Sequence, residues 1–150
     1  MKTKILILLA LPVMFYACKK DTYTTKPQIS IKSINSTTVS QGSLLVFQLE
    51  FTDAEGDVQD TLYIQKFSRV CPGQFGVQKD LKYKVPDFSP TSNLKGIFEI
   101  TCSYNINVPG SLQIIGCGTK TDTAYFKFWL KDKANNISDT ITTENIVLLK

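Results

Sequence analysis

From Gln28 onward, apolar and polar residues alternate in short runs separated by Gly, Pro, Asn and Asp. Ile29, Ile31 and Ile34 predict an opening strand with an irregularity near Ser33. Over Ser43–Phe51, Leu45, Phe47, Leu49 and Phe51 fall on one face, with Val46, Gln48 and Glu50 on the other. Leu62, Ile64 and Lys66 alternate with Tyr63, Gln65 and Phe67. Phe98, Ile100, Cys102 and Tyr104 share a face opposite Glu99, Thr101 and Ser103. Tyr125–Leu130 reads as a strongly aromatic strand, and Ile137–Leu149 as one or two closing strands. Successive side chains of a strand point to opposite faces, so this period of two is what half-buried strands need. No window carries a helical stripe of about ten residues or more. β-Branched and aromatic residues hold the apolar positions, and short strands at this spacing predict an all-β fold of two packed sheets. On this pattern Trp129 is expected in the core between the sheets; its other use would be a sugar-stacking platform.

Pro109-Gly110 suits a tight turn, because Pro fixes φ at the first corner and Gly accepts positive φ at the second. A hairpin centred there pairs Val108 with Ser111 and, by counting, brings Cys102 beside Cys117. The expected disulfide is therefore Cys102–Cys117, at a Cβ separation that such a bond tolerates. Cys71, in Val70-Cys71-Pro72-Gly73, then lacks a mate. It could instead displace either partner and staple the middle loop, and the sequence leaves that choice open. Three cysteines without the close paired spacing of zinc ligands, and without histidine, disfavour a thiolate metal site or a catalytic cysteine.

The amino terminus has a different character. Lys2 and Lys4 precede an apolar run from Ile5 to Tyr16, which is short for a membrane span and ends at small Ala17 before Cys18. Phe15-Tyr16-Ala17-Cys18 resembles the lipobox of bacterial lipoproteins. The resemblance implies that residues 1–17 are a signal peptide and that Cys18 carries the lipid (palmitate among its acyl chains). It also implies that the protein is held to the outer membrane of the cell envelope, on its periplasmic face or at the cell surface. Residues 18–27 read as a polar tether and residues 28–150 as the folded domain. Several acyl chains, each contributing about 0.8 kcal/mol per buried methylene, would give firm anchoring.

Removal of residues 1–17 leaves 133 of the 150 residues, enough for one domain with one sizeable core. The formal charge falls from +4 to +2, because Lys2 and Lys4 go and all thirteen acids stay. Such a balance does not nominate nucleic acid as a partner. Histidine is absent from the chain, which removes the commonest general base and the favoured imidazole ligand and lowers the expectation of an enzyme.

Phe51-Thr52-Asp53-Ala54-Glu55-Gly56-Asp57 resembles the turn between the second and third strands of bacterial immunoglobulin-like domains of the PKD and cadherin-like kinds. Trp129-Leu130-Lys131-Asp132-Lys133-Ala134-Asn135-Asn136 is similar to the late turn of the same families. The Trp-x-Phe-Gly-Asp-Gly signature of PKD domains is missing, and an insertion lies between Ser68 and Gly96. The resemblance implies an immunoglobulin-like antiparallel β-sandwich of about seven to nine strands, with both turns at one end. Asp53, Glu55, Asp57 and Asp60 would then approach Asp132, Asn135 and Asn136. Asp53, Glu55, Asp57, Asp132 and Asn135 are the candidate ligands for Ca²⁺, which takes six to eight oxygens in flexible geometry. Ordinary turn chemistry accounts for the same residues without an ion.

The insertion from Val70 to Lys95 mixes lysines with aromatics, and long loops of compact domains are often functional. Phe75, Lys79, Lys82, Tyr83 and Phe88 are the candidate ligand contacts. Leu81, Tyr83 and Val85 read equally as an edge strand whose lysines guard it against aggregation. The expected function is that of a lipid-anchored, non-enzymatic binding or structural module at the cell envelope, with a protein or glycan ligand and no nucleic acid. The alternatives are a carbohydrate-binding accessory of a glycan-uptake system and a small carboxylate-dependent hydrolase, which needs two acids facing one cleft.

Overall fold

An alternating chain needs a dry side and a wet side for each strand, and two sheets laid face to face supply both. The computed structural model describes residues 23–72 and 81–150; Cys18, the signal peptide, most of the tether, Phe75 and Lys79 lie outside the described residues. The strands are β1 (Gln28–Ile34), β2 (Thr38–Val39), β3 (Leu44–Asp53), β4 (Thr61–Ser68) and β5 (Leu81–Lys84), followed by β6 (Leu94–Tyr104), β7 (Leu112–Ile114), β8 (Asp122–Lys131), β9 (Ile141–Thr142) and β10 (Ile146–Leu148). One sheet runs β1-β3-β6-β7; the other runs β2-β10-β8-β4-β5, with β9 also paired to β8. Among the described residues there is no helix.

The order is that of an immunoglobulin-like sandwich: β3 lies between β1 and β6 as B lies between A and E, and β8 lies between β4 and β10 as F lies between C and G. Where that fold has a fourth strand D, this chain places β7. The irregularity expected near Ser33 is a register shift between Ile31 and Ser33 in the β1–β3 ladder. β5 is an edge strand, so Lys82 and Lys84 do sit on an edge.

The core is the inner face of both sheets. Phe47 of β3 stands at its centre, with its ring 5.0 Å from Phe126 and 5.0 Å from Phe128 of the facing sheet. Leu45, Leu49, Leu62, Ile64, Leu130 and Ile146 are buried around it. Burying a side chain of this size stabilises the fold by about 1.5–3 kcal/mol, so this layer supplies the driving force.

Two expectations are corrected here. Trp129 is not in the core. Ala124, Phe126, Phe128 and Leu130 take the inner positions of β8, so the opposite parity of Trp129 turns it outward, where it is only partly buried. The second correction concerns the hairpin. The turn at Pro109-Gly110 forms, with Gly110 at φ 80° and the Ser111 N–H donating to Val108 O at 3.1 Å. The chain does not fold back on β6, however: β7 runs parallel to it, with Leu112 opposite Cys102 and Ile114 opposite Tyr104. Cys117 is thereby carried past the end of β7 to the far side of the sandwich. There it bonds Cys71, with Cα atoms 5.9 Å apart. Cys102 stays a free, buried thiol between Leu45 and Leu112.

Candidate functional site

The turns after β3 and β8 meet at one end of the sandwich, tied together by the Lys133 N–H donating to Asp57 O at 3.0 Å. Asp53 ends β3, and its Oδ2 accepts the N–H groups of Gly56 at 2.6 Å and Asp57 at 3.2 Å. Gly56 has φ +73°, and a Cβ there would lie 2.2 Å from the backbone oxygen of Thr91, so the turn has room for glycine alone. On the other turn, Asp132 Oδ1 accepts the Asn136 N–H at 2.7 Å and Oδ2 accepts the Asn136 amide at 2.9 Å. Asn135 takes the left-handed corner at φ 72°.

These two turns bring Asp53, Asp57 and Asp132 together, with one carboxylate oxygen of each within 4.8 Å of the others. Asp53 and Asp132 are fully buried and Asp57 is partly buried. Asp53 Oδ1 and Asp57 Oδ1 are buried and accept no hydrogen bond. The same is true of Oε1 of Gln59, whose Nε2 donates to Gly56 O at 3.2 Å beneath the same turn. Turn chemistry therefore explains Asp53 Oδ2 and both oxygens of Asp132, and leaves three buried acceptors unexplained. Each such orphan costs about 1–3 kcal/mol. Burial pushes the Asp53 carboxyl above its ordinary range, its two backbone hydrogen bonds oppose that, and the charges of Asp57 and Glu55 add to it.

Glu55 and Asn135 are not part of the group. Glu55 is exposed and accepts the Thr25 hydroxyl at 3.0 Å, and Asn135 is exposed at its corner. Asp60 leaves the cluster to pair with Lys131 at 3.2 Å. Sequence reasoning missed Gln59; it placed Asn136 at this end without counting it among the ligands, and Asn136 closes a ring with Asp132.

The candidate contacts on the insertion divide between two faces. Tyr83 stands opposite Leu62 and packs on the core, whereas Lys82 stands opposite Tyr63 and faces outward. Phe88 is exposed, and its carbonyl accepts from Gln59 Nε2 at 3.1 Å. Tyr83 and Lys82 therefore cannot belong to one contact surface.

The outward face of the β8-β4-β5 sheet carries the aromatics that the core does not take. Tyr63 and Trp129 are cross-strand partners with ring centroids 5.2 Å apart and planes within 2°. Phe67 and Tyr125 repeat the arrangement at 5.0 Å and 7°. Lys82 lies 5.7 Å from the Tyr63 ring, Lys127 5.0 Å from Phe67 and Arg69 5.3 Å from Tyr125.

No protein-family model matches the sequence, and no curated protein matches it either. Among solved structures, the sporulation control protein Spo0M of Bacillus subtilis is similar over 83% of this chain and 50% of its own length, at 8% identity and TM-score 0.42. This chain thus spans half of that protein. A CARDB domain from Pyrococcus furiosus, solved in complex with di-metal ions, is similar over 89% of this chain and 98% of the domain, at 8% identity and TM-score 0.35. By its own strand order the chain is an all-β, immunoglobulin-like sandwich with an acid-lined loop end.

Proposed function

We propose that this chain is a non-enzymatic binding module of the bacterial cell envelope, anchored through Cys18, whose loop end is completed by Ca²⁺. The observation that carries the metal reading is the pair of buried, unpartnered oxygens Asp53 Oδ1 and Asp57 Oδ1 beside Asp132. Three carboxylates this close repel one another when ionised, and a hard divalent cation relieves both the repulsion and the missing hydrogen bonds. Asp53, Asp57 and Asp132 would hold the ion, which supplies cross-bridging of the two turns rather than chemistry on a substrate.

A carboxylate hydrolase fits less well. Its two acids must flank a substrate about 5–10 Å apart. Here the oxygens lie within 4.8 Å and two of the three acids are buried. The anchoring reading is supported by Phe15-Tyr16-Ala17-Cys18 and by the oxidised Cys71–Cys117 pair, which persists in exported compartments.

Thermal melting of the full chain with millimolar Ca²⁺ and with a chelator tests the metal. A higher midpoint in Ca²⁺ that vanishes in Asp53→Asn supports it, and identical melts overturn it. Intact mass of protein extracted from cells tests the anchor: residues 1–17 absent and Cys18 acylated is the expected result.

A further inference from the structure

We infer that the outward face of the β8-β4-β5 sheet is a docking surface for an acidic polysaccharide. This deepens the reading of the chain as a binding module, but rests on a surface separate from the acid-lined end. On β4, β5 and β8 the outward positions alternate with the buried ones, and none of those outward positions holds Asp or Glu. They do hold Lys82, Lys84, Lys127 and Lys131. Of these, Lys131 pairs with Asp60 at 3.2 Å and Lys84 lies near Asp60 and Asp87, whereas Lys82 and Lys127 rest on aromatic rings rather than on carboxylates. The opposite sheet differs: Glu50 and Glu99 face outward there, with Lys95 3.4 Å from Glu50 and Gln48 donating to Glu99 at 3.3 Å. The basic character is confined to one face.

The rings decide what kind of anion fits. Tyr63 stacks on Trp129 and Phe67 on Tyr125, so each ring turns one face to its cross-strand partner. Tyr63, Phe67 and Tyr125 each have a neighbouring ring on one side and a cation near the ring as well. Each of the four rings has one face covered by its cross-strand partner, which leaves less open ring surface than a single-strand platform offers to stacking bases. Lys82, Lys127 and Arg69, each lying over a ring, make this aromatic face positive. Its complement is a chain rich in small carboxylates and hydroxyl oxygens, lying along the strands.

The test measures binding of the full chain to polygalacturonate in the presence of a chelator, so that the acid-lined end plays no part. Dextran, phosphatidylglycerol vesicles and poly-dT serve as comparison ligands. Polygalacturonate is expected to bind, more weakly as salt rises, and dextran is not. Lys127→Glu should weaken binding about tenfold, while Lys32→Glu on the opposite sheet, an equal change of net charge, should not. Trp129→Ala, with melting checked, should also weaken it. Tighter binding to vesicles or poly-dT, equal effects of Lys127→Glu and Lys32→Glu, or no binding to polygalacturonate overturns the assignment. Asp53→Asn run in parallel separates the two readings: it should lose the Ca²⁺ response and keep polygalacturonate.

Discussion

Lys66 and Asp122 face each other inside the sandwich, with Nζ 2.9 Å from Oδ2 and neither side chain exposed. Lys66 also donates to Ile115 O at 2.9 Å, and Ser68 Oγ donates to Asp122 Oδ1 at 2.5 Å. The same hydroxyl accepts the N–H groups of Val70 at 3.2 Å and Cys71 at 2.9 Å. The chain leaving β4 is thus fastened to the start of β8, next to the disulfide.

Removing one partner leaves the other charge buried. Lys66→Met should cost about 3–5 kcal/mol in urea unfolding. Lys66→Met combined with Asp122→Leu should cost less than Lys66→Met alone, because the double variant strands no charge. A double variant worse than the single would mean that Asp122 stabilises the fold through Ser68 rather than as the counter-charge of Lys66.

The disulfide closes a loop of 46 residues, for which chain entropy gives about 4 kcal/mol, with typical measured values of 2–4. Cys71→Ala should lower stability on that scale, whereas Cys102→Ala removes only a small buried group. Desolvation pushes the Cys102 thiol up to about 12, so at about pH 8 it should resist alkylation until the chain is unfolded. A peptide map with a Cys102–Cys117 link would refute the arrangement.

Asp53 gives the acid-lined end a pH dependence of definite sign. Its folded value is raised above the ordinary 3.8, chiefly by burial, so the metal-free folded state holds this proton more tightly than the unfolded chain. The stability that Asp53 contributes is full below 3.8 and is lost as pH rises through the raised value. Ca²⁺ binding runs the other way and weakens as pH falls through the same window. Melting series across acid pH, in chelator and in Ca²⁺, should therefore diverge toward neutral pH. In chelator, Asp53→Asn should flatten this part of the curve.

Gly56→Ala should destabilise the chain and the metal response together. The conformation alone costs about 1–3 kcal/mol for a residue with a Cβ. The 2.2 Å approach to Thr91 is to backbone, which cannot swing away. Gly110→Ala has nothing within 4 Å of its Cβ and should cost only the conformational part, so unequal losses in paired denaturation curves check the contact.

The strands were legible because inner positions such as Leu45, Phe47 and Leu49 repeat with period two over a long run. Lys66 was legible too, since it occupies an inner position after Leu62 and Ile64. Trp129 was not, because Tyr125, Phe126, Phe128 and Trp129 are apolar on both faces and parity alone does not say which is inside. Pro109-Gly110 announced its turn, but turn residues fix a corner and not the direction of the next strand. The parallel course of β7, and with it the partner of Cys117, depended on packing beyond the turn. At the acid-lined end, the approach of Asp53, Asp57 and Asp132 followed from the resemblance to immunoglobulin-like domains, which sets both turns at one end. The same reading took in Glu55 and Asn135, which stand outside the group. Gln59 was not legible, because a lone glutamine between Val58 and Asp60 has no pattern to mark it.

The entry point of the chain sets which way up the domain is carried. Thr24 O accepts the Ala54 N–H at 3.1 Å, and Lys26 reaches Asp139 at 2.6 Å, so the amino-terminal segment arrives beside the turns that gather Asp53, Asp57 and Asp132. From Cys18 to Thr24 an extended chain reaches about 20 Å at most. A foot embedded in lipid at Cys18 would hang the domain with its carboxylate-bearing pole toward the head groups and its sulfur-bridged pole outermost. The flank bearing Tyr63 and Trp129 would then stand side-on to the bilayer, open to long polymers passing along the surface.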